Sequence, residues 1–153
     1  MPRLACRSLL VVCAVALPAF AQIQRLAYVG DGVEHQMGRS IGTGRDVTLD
    51  GKNDFVVGAR GLSSSSVFPG RAYLFSGAGA YVHTFYGQAP GDEFGVSCAL
   101  VGDADADGYP DILVGARSYD GPAGANSGRA YLYRGESPSH VGDYGLIATF
   151  DGQ

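Results

Sequence analysis

An internal repeat constrains the fold of this chain more than any other feature of its sequence. Met37–Arg60 aligns without a gap with Phe94–Arg117 and is identical to it at ten of 24 positions. Farther along, the eight residues from Gly70 match the eight residues from Gly128 at six positions. Repeats of this kind indicate one structural unit used several times, in which neighbouring copies cover each other's apolar faces.

A third echo sets the extent of the repeats. Thr84–Gln88 is matched in part by Thr149–Gln153, the last residues of the sequence. We therefore predict a first repeat at about residues 26–87, a second at about residues 88–150 and the start of a third at the C-terminus.

Each repeat is composed of short runs that are typical of β-strands. Apolar triplets and mixed aromatic and aliphatic runs alternate with Gly, Pro or Ser about every eight to twelve residues, the strand spacing of sandwiches, barrels and propellers. No run after residue 21 has helical spacing with caps, so the sequence predicts an all-β fold. The predicted strands include Phe55–Val57, Arg71–Phe75, Tyr81–Tyr86, Val96–Val101, Ile112–Val114 and Arg129–Tyr133.

An acidic loop in the second repeat carries the strongest chemical signal. Its carboxylates alternate with other residues, and Gly108 follows the third of them with the positive φ needed to turn the chain. Such a set of oxygens can surround one hard cation, and calcium (Ca2+) fits best because it accepts about six to eight oxygens in a tolerant geometry. The predicted ligands are the side chains of Asp103, Asp105, Asp107 and Asp111 and the main-chain carbonyl of Tyr109.

An EF-hand loop begins in the same way, but two features exclude it. An EF-hand needs a bidentate glutamate at its twelfth position, and counting from Asp103 that position is Val114. The segments on both sides of the loop also have β rather than helical patterns. The loop instead ends at Asp111 and continues into an apolar strand.

The first repeat has an equivalent loop with a weaker set of ligands. It keeps three carboxylates, replaces the second by a threonine and has Arg45 beside it. We predict that this loop binds calcium more weakly than the second, and the alternative is a polar turn that binds no metal. The candidate metal-site residues are Asp46, Thr48, Asp50, Lys52 and Asp54.

The first 21 residues are typical of a secretory signal peptide. Two arginines precede an apolar core at Leu9–Leu17, and Ala19–Ala21 supplies the small residues of a cleavage site. This core is too short to span a bilayer as a helix, and no later segment is apolar for long enough. We therefore predict cleavage before Gln22 and a secreted, extracellular or periplasmic protein.

The acidity that remains after removal of the signal peptide is local. Nine basic and fifteen acidic residues follow position 21, and seven of the acidic ones lie in the two loops. This clustering favours a cation as partner and argues against nucleic acid, which requires a basic face. Cys98 is then the single cysteine, so no internal disulfide is predicted, and we expect a buried, unreactive thiol.

The combined motifs resemble the FG-GAP repeat of integrin α-subunit propellers and related bacterial exported proteins. They are Phe94-Gly95, the second acidic loop and Gly115-Ala116-Arg117, and the first copy has Met37-Gly38 and Gly58-Ala59-Arg60. Arginine thus replaces the last residue of the Gly-Ala-Pro signature in both copies. The resemblance covers the chain from about Leu26 and implies that each repeat is a four-stranded propeller blade.

The resemblance also implies where metals and partners bind. The calcium loop would join the first two strands of each blade, and Gly61–Gly70 and Ser118–Gly128 would lie on the opposite face, where partners bind. Propellers have about four to eight blades, so two blades form an incomplete ring. We expect further blades in cis or in trans, with the chain as the N-terminal piece of a longer protein or as a fragment that pairs through open sheet edges.

A binding function is favoured over an enzymatic one. No catalytic residues are predicted, because the three histidines share no ligand spacing, no nucleophile motif is present and the clustered carboxylates are assigned to metal. Arg60 and Arg117 recur in both repeats and are expected to act between blades. The favoured function is an exported module that binds an unknown extracellular protein or glycan, with structural calcium; the alternative is a non-catalytic accessory or truncated segment of a larger secreted hydrolase.

Overall fold

A computed structural model describes residues 36–61, 68–136 and 142–153, and these residues form eight β-strands and no helix. The predicted signal peptide, the start of the first repeat and most of the Gly61–Gly70 loop lie outside this part of the chain. The described residues contain no helix that is long and apolar enough to span a bilayer. The strands are β1 (Met37–Arg45), β2 (Asp54–Ala59), β3 (Arg71–Phe75), β4 (Tyr81–Tyr86), β5 (Phe94–Leu100), β6 (Ile112–Ala116), β7 (Arg129–Tyr133) and β8 (Leu146–Asp151).

The strands form two antiparallel sheets of four, one for each repeat. Neighbouring strands in the chain are neighbours in the sheet, in the orders β1-β2-β3-β4 and β5-β6-β7-β8. The sequence-based prediction of an all-β chain with two four-stranded blades is therefore confirmed. These two blades do not close a ring.

The two sheets pack face to face through the apolar residues that alternate along their strands. Val56 and Leu74 of the first sheet and Ile112 and Tyr131 of the second belong to one buried cluster, and each is at most 1% exposed. The residues on the other face of β2 and β3, such as Val57 and Phe75, form a second cluster. The central strands β2 and β3 are thus buried on both faces, as expected for a unit stacked between others.

The Phe-Gly pair of the second repeat lies at the seam between the sheets. Phe94 is fully buried, its N–H donates to the Pro69 carbonyl at 3.0 Å, and its ring lies 5.2 Å from that of Tyr131. Gly95 has a φ of +84°, and a Cβ atom there would lie 2.1 Å from the Arg71 carbonyl oxygen. The two blades therefore meet backbone to backbone at a position that only glycine fits.

Equivalent residues in the two repeats differ in exposure. Phe85 of β4 is 2% exposed because Tyr133 and Tyr144 of the second repeat pack against it. Its counterpart Phe150 in β8 is 54% exposed. The second blade therefore presents outward the face that the first blade buries.

The C-terminal residues complete the second sheet. Thr149–Asp151 belongs to β8, as Thr84–Tyr86 belongs to β4. The Gly152 amide donates to the Gly128 carbonyl at 2.9 Å, which matches the bond from Gly87 to Gly70 at 3.1 Å. The third echo in the sequence thus corresponds to the end of a blade and the turn that follows it.

Cys98 lies in β5 and is partly exposed, although its side chain packs against the core between the sheets. Burial raises the pKa of its thiol to about 11. The thiolate is therefore scarce at neutral pH, which agrees with the unreactive thiol expected from the sequence.

Candidate metal centres

The two acidic loops occupy the same place in their blades, between the first and second strands. In the first loop the Asp46 carboxylate accepts hydrogen bonds from the amides of Asp50 (3.1 Å) and Gly51 (2.9 Å). In the second loop the Asp103 carboxylate accepts equivalent bonds from Asp107 (3.0 Å) and Gly108 (2.8 Å). Each loop is therefore curled around its first carboxylate in the same way.

Residues with positive φ angles make the tight curl of both acidic loops possible. Gly108 has a φ of +94°, as the sequence predicted, and Gly51 has a φ of +82°. Two steps earlier, Leu49 and Ala106 also have positive φ angles, of 56° and 64°. A non-glycine residue in this region is uncommon and strained, and its recurrence at the same step of both loops shows that the loop shape itself requires it.

The last aspartate of each loop is buried at the start of the next strand. Asp54 and Asp111 are both 0% exposed. Asp54 accepts hydrogen bonds from the amides of Val47 (2.7 Å), Thr48 (2.8 Å) and Gly77 (2.8 Å). These amides compensate the burial of the carboxylate and anchor the loop to the sheet.

Asp111 has the same type of environment in the second loop. The amides of Ala104 (2.8 Å) and Gly135 (3.2 Å) donate to its two oxygens. Burial raises the pKa of Asp111 and the nearby Asp105 and Asp107 raise it further, while the two amides act in the opposite direction. A positive ion would relieve this unfavourable concentration of negative charge.

Carboxylate oxygens converge in both loops. One oxygen from each of three aspartates lies within 4.8 Å of the others in each loop. Hard oxygen donors at this spacing match what calcium or magnesium requires, and the absence of His and Cys disfavours zinc. The converging residues are Asp46, Asp50 and Asp54 in the first loop and Asp103, Asp105 and Asp111 in the second.

The remaining predicted site residues have different surroundings. The Thr48 hydroxyl donates to Asp54 at 3.2 Å. Lys52 and Tyr109 donate their amides to the preceding Asp50 and Asp107, both at 2.9 Å. Asp107 lies outside the converging set of the second loop.

Arg134 accounts for part of this difference and was not identified from the sequence. Its Nη2 atom lies 3.4 Å from Asp105 Oδ2, and its Nε atom lies 3.9 Å from Asp107 Oδ2. Ser76 occupies the equivalent position in the first repeat. The available signal was this one serine-to-arginine difference within the matching octapeptides.

The positive charges predicted near the first loop make no comparable contact. Among the ion pairs of the described residues, none joins Arg45 or Lys52 to the carboxylates of that loop. Arg45 instead lines a groove of about 370 Å3 between the two loops, with Asp46 on its own side and Asp103 and Tyr109 on the other. The two candidate metal centres are therefore neighbours across one groove.

Arginine and glutamate residues join the blades at the opposite ends of the strands. The buried Glu93 carboxylate lies 2.7 Å from Arg117 of its own blade and 3.5 Å from Arg60 of the first blade. Arg60 also donates to Gln36 at 2.8 Å. The expectation that the two recurring arginines act between blades is thus met by Arg60, while Arg117 contacts its own blade and is 63% exposed.

Comparison with known proteins identifies the family of this chain. The profile of the FG-GAP repeat family matches residues 94–133, which run from the buried Phe-Gly pair through the second acidic loop to the end of β7. The chain is an integrin α-like FG-GAP repeat protein. The first sheet repeats the strand order and loop hydrogen bonds of the matched segment, although it begins with Met37 instead of phenylalanine.

Curated relatives of this FG-GAP protein are integrin α-subunits. Integrin alpha-6 of Gallus gallus is 33% identical over 113 residues, which cover 71% of this chain and 10% of the relative. Integrin alpha-7 of Rattus norvegicus is 32% identical over 97 residues (60% and 8%), and integrin alpha pat-2 of Caenorhabditis briggsae is 32% identical over 102 residues (61% and 8%). The chain thus spans about a tenth or less of the length of these relatives.

Proposed function

We propose that this chain is an exported propeller module in which two structural calcium ions hold the acidic loops and another part of the blades binds an extracellular protein or glycan. The observation that carries the proposal is that three carboxylates converge in each of two identically curled loops, and that the first and last carboxylates of the two sets are equivalent in the repeats. One acidic turn is common on protein surfaces, whereas two with the same buried aspartate and the same hydrogen bonds indicate a shared purpose.

The chain's own residues would hold calcium at the bend between the first two strands. Asp54 and Asp111 are oriented by hydrogen bonds from main-chain amides, while Asp46 and Asp103 are oriented by the curl of the loop. A bound calcium ion would supply the positive charge that these carboxylates otherwise lack. The bends would then become stiff, and the blade ends would hold a constant shape for binding.

A polar groove at the other ends of the strands is the candidate binding surface. It has a volume of about 370 Å3 and is lined by acidic, basic and amide side chains, among them Asp92, Arg117 and Asn126. Such mixed polar surfaces suit a protein or a glycan partner. The exposed Phe150, whose counterpart Phe85 is buried, supports the further proposal that another blade covers the second sheet, in cis or in trans.

The first test is calorimetric titration of the full chain with calcium, beside Asp50→Asn and Asp103→Asn variants, each of which changes one converging carboxylate. We expect two bound ions, and each variant should weaken one site by at least about tenfold because calcium affinity depends on the number of charged ligands. Asp50→Asn keeps the oxygen that accepts the Lys52 amide, and water can satisfy an amide that is freed at the exposed Asp103, so the loop fold is preserved. Excess calcium at about 100 times the dissociation constant should stabilise the chain by roughly 2.7 kcal/mol per site.

Magnesium at the same concentration serves as the control ion, because its tight octahedral geometry suits these loops less well. A chain that releases no heat with calcium, and whose melting temperature is the same with calcium and with a chelator, would refute the calcium proposal. Equal affinities for calcium and magnesium would refute the choice of ion.

A second prediction concerns Arg134, whose replacement should strengthen calcium binding but lower the stability of the calcium-free chain. Replacing Arg134 with serine, the residue at the equivalent position of the first repeat, should tighten calcium binding to the second loop by about threefold to tenfold, since Asp105 and Asp107 lose a competing cation. The same change should lower the melting temperature in chelator, because the carboxylates then repel one another without compensation. Calorimetry and thermal melting measure the two effects.

Arg134→Lys is the matched control, since it keeps the charge and should leave calcium affinity close to that of the unchanged chain. If Arg134→Ser lowered the melting temperature equally with and without calcium and left the affinity unchanged, Arg134 would have a packing role only.

A further inference from the structure

The segment Arg134–Glu136, which follows β7, lies between the two acidic loops and contacts both. On the side of its own blade, the Gly135 amide donates to Asp111 Oδ1 at 3.2 Å. The Arg134 guanidinium approaches Asp105 in the same loop. This segment therefore helps to place two carboxylates of the second loop.

The next residue contacts the first loop. The Glu136 amide donates to the Val47 carbonyl at 2.8 Å. Val47 is fully buried, and its own amide donates to Asp54 Oδ2 at 2.7 Å. Two consecutive amides therefore contact different loops. The Gly135 amide bonds to Asp111, and the Glu136 amide bonds to Val47, whose own amide bonds to Asp54.

Gly135 is packed closely between the two loops. A Cβ atom at Gly135 would lie 1.9 Å from the Pro110 carbonyl oxygen of the second loop. The same atom would lie 3.5 Å from the Val47 Cβ of the first loop. Gly135 thus approaches the second loop more closely than any side chain would allow, and the first loop lies next to it.

We propose that Arg134–Glu136 is a positioning element shared by both metal centres, so that calcium at one loop raises the affinity of the other. This inference rests on the calcium function proposed above. Binding at the second loop fixes Asp111 and with it the Gly135 amide. The fixed segment holds Val47, so Asp54 is already in place when the second ion binds and less ordering remains to oppose that binding.

Glu136 offers a matched pair of variants because its amide and its side chain have separate contacts. Glu136→Pro removes the N–H that bonds to Val47, whereas Glu136→Ala keeps this N–H and loses only the carboxylate that accepts the Tyr144 hydroxyl. The proposal predicts that the proline variant uncouples the loops and that the alanine variant does not.

The experiment is calorimetric titration of the full chain with calcium in a set of variants. Disabling the first loop with Asp50→Asn should weaken binding at the second loop by about fivefold or more, and disabling the second with Asp103→Asn should weaken the first loop by the same factor. With Glu136→Pro present, Asp50→Asn should no longer change the affinity of the second loop. With Glu136→Ala present, the fivefold effect should persist.

Amide hydrogen exchange provides a second readout that does not depend on the proline variant folding. In the Asp50→Asn variant, calcium at the second loop should slow exchange of the Glu136 amide, which bonds to the first loop. Unchanged affinity of the second loop in Asp50→Asn and of the first loop in Asp103→Asn, without added protection at Glu136, would overturn the coupling while leaving the calcium function intact. Failure of both loops to bind would instead overturn the calcium function.

Discussion

Replacing Asp111 with asparagine is expected to lower the free energy of unfolding by about 2–4 kcal/mol and to abolish calcium binding at the second loop. Asp111 is fully buried, and both of its oxygens accept main-chain hydrogen bonds. Asparagine has one carbonyl oxygen, so either Ala104 or Gly135 would face an amide group that cannot accept its N–H. A buried donor without a partner costs about 1–3 kcal/mol, and the loss of a bond to a charged acceptor adds to this.

Urea denaturation in the presence of a chelator measures this loss without a contribution from calcium. Asp103→Asn is the matched control, since Asp103 also accepts two amides but is exposed to water. Water can satisfy the freed amide there, so the control should lose much less stability. Equal losses for the two variants would show that burial of Asp111 does not determine its contribution.

Six of the eight strands of the described residues and the position of the acidic loops could be predicted from the sequence because they are specified locally and twice, whereas β1 and β8 were not identified. Apolar triplets such as Phe55–Val57 and Ile112–Val114 are continuous in the chain, and both occur as strands. Gly108, the glycine after the third carboxylate of the second loop, also has the predicted positive φ. A signal that recurs in register is difficult to mistake for chance.

The electrostatic surroundings of the second loop could not be predicted because they depend on contacts distant in the chain. Arg134 is separated by 29 residues from Asp105, which its guanidinium contacts. Glu93 is 33 residues from Arg60, and nothing in the sequence pairs them. Alternation of acidic residues indicates that oxygens converge, but it does not indicate which carboxylate turns toward a neighbouring cation.

The link between the two loops has the same origin. Gly135 and Glu136 stand at the end of an ordinary strand, and their sequence carries no metal-binding pattern. The Glu136 amide acquires its partner only when the first blade is stacked against the second, since Val47 then comes within hydrogen-bond distance. Contacts between the blades, such as the hydrogen bond from Glu136 to Val47, therefore cannot be inferred from the sequence of one repeat.

Replacing Gly95 with alanine is expected to lower the free energy of unfolding by about 2–5 kcal/mol. Two costs add at this position. A non-glycine residue at a φ of +84° costs about 1–2 kcal/mol. The new Cβ atom would also lie 2.1 Å from the Arg71 carbonyl oxygen, and relieving this clash by moving the blades apart costs a further 1–3 kcal/mol or so.

Gly38 separates these two costs because it is the equivalent glycine of the first repeat. Its φ is +92°, but a Cβ atom there would meet nothing within 4 Å. Gly38→Ala should therefore show the backbone cost alone, and the difference between the variants in urea denaturation should give the contribution of the seam. Because natural domains are stable by only about 5–15 kcal/mol, Gly95→Ala should leave a large unfolded population at temperatures that Gly38→Ala tolerates. Similar losses for both variants would mean that the close approach of Gly95 to β3 contributes little to holding the two blades together.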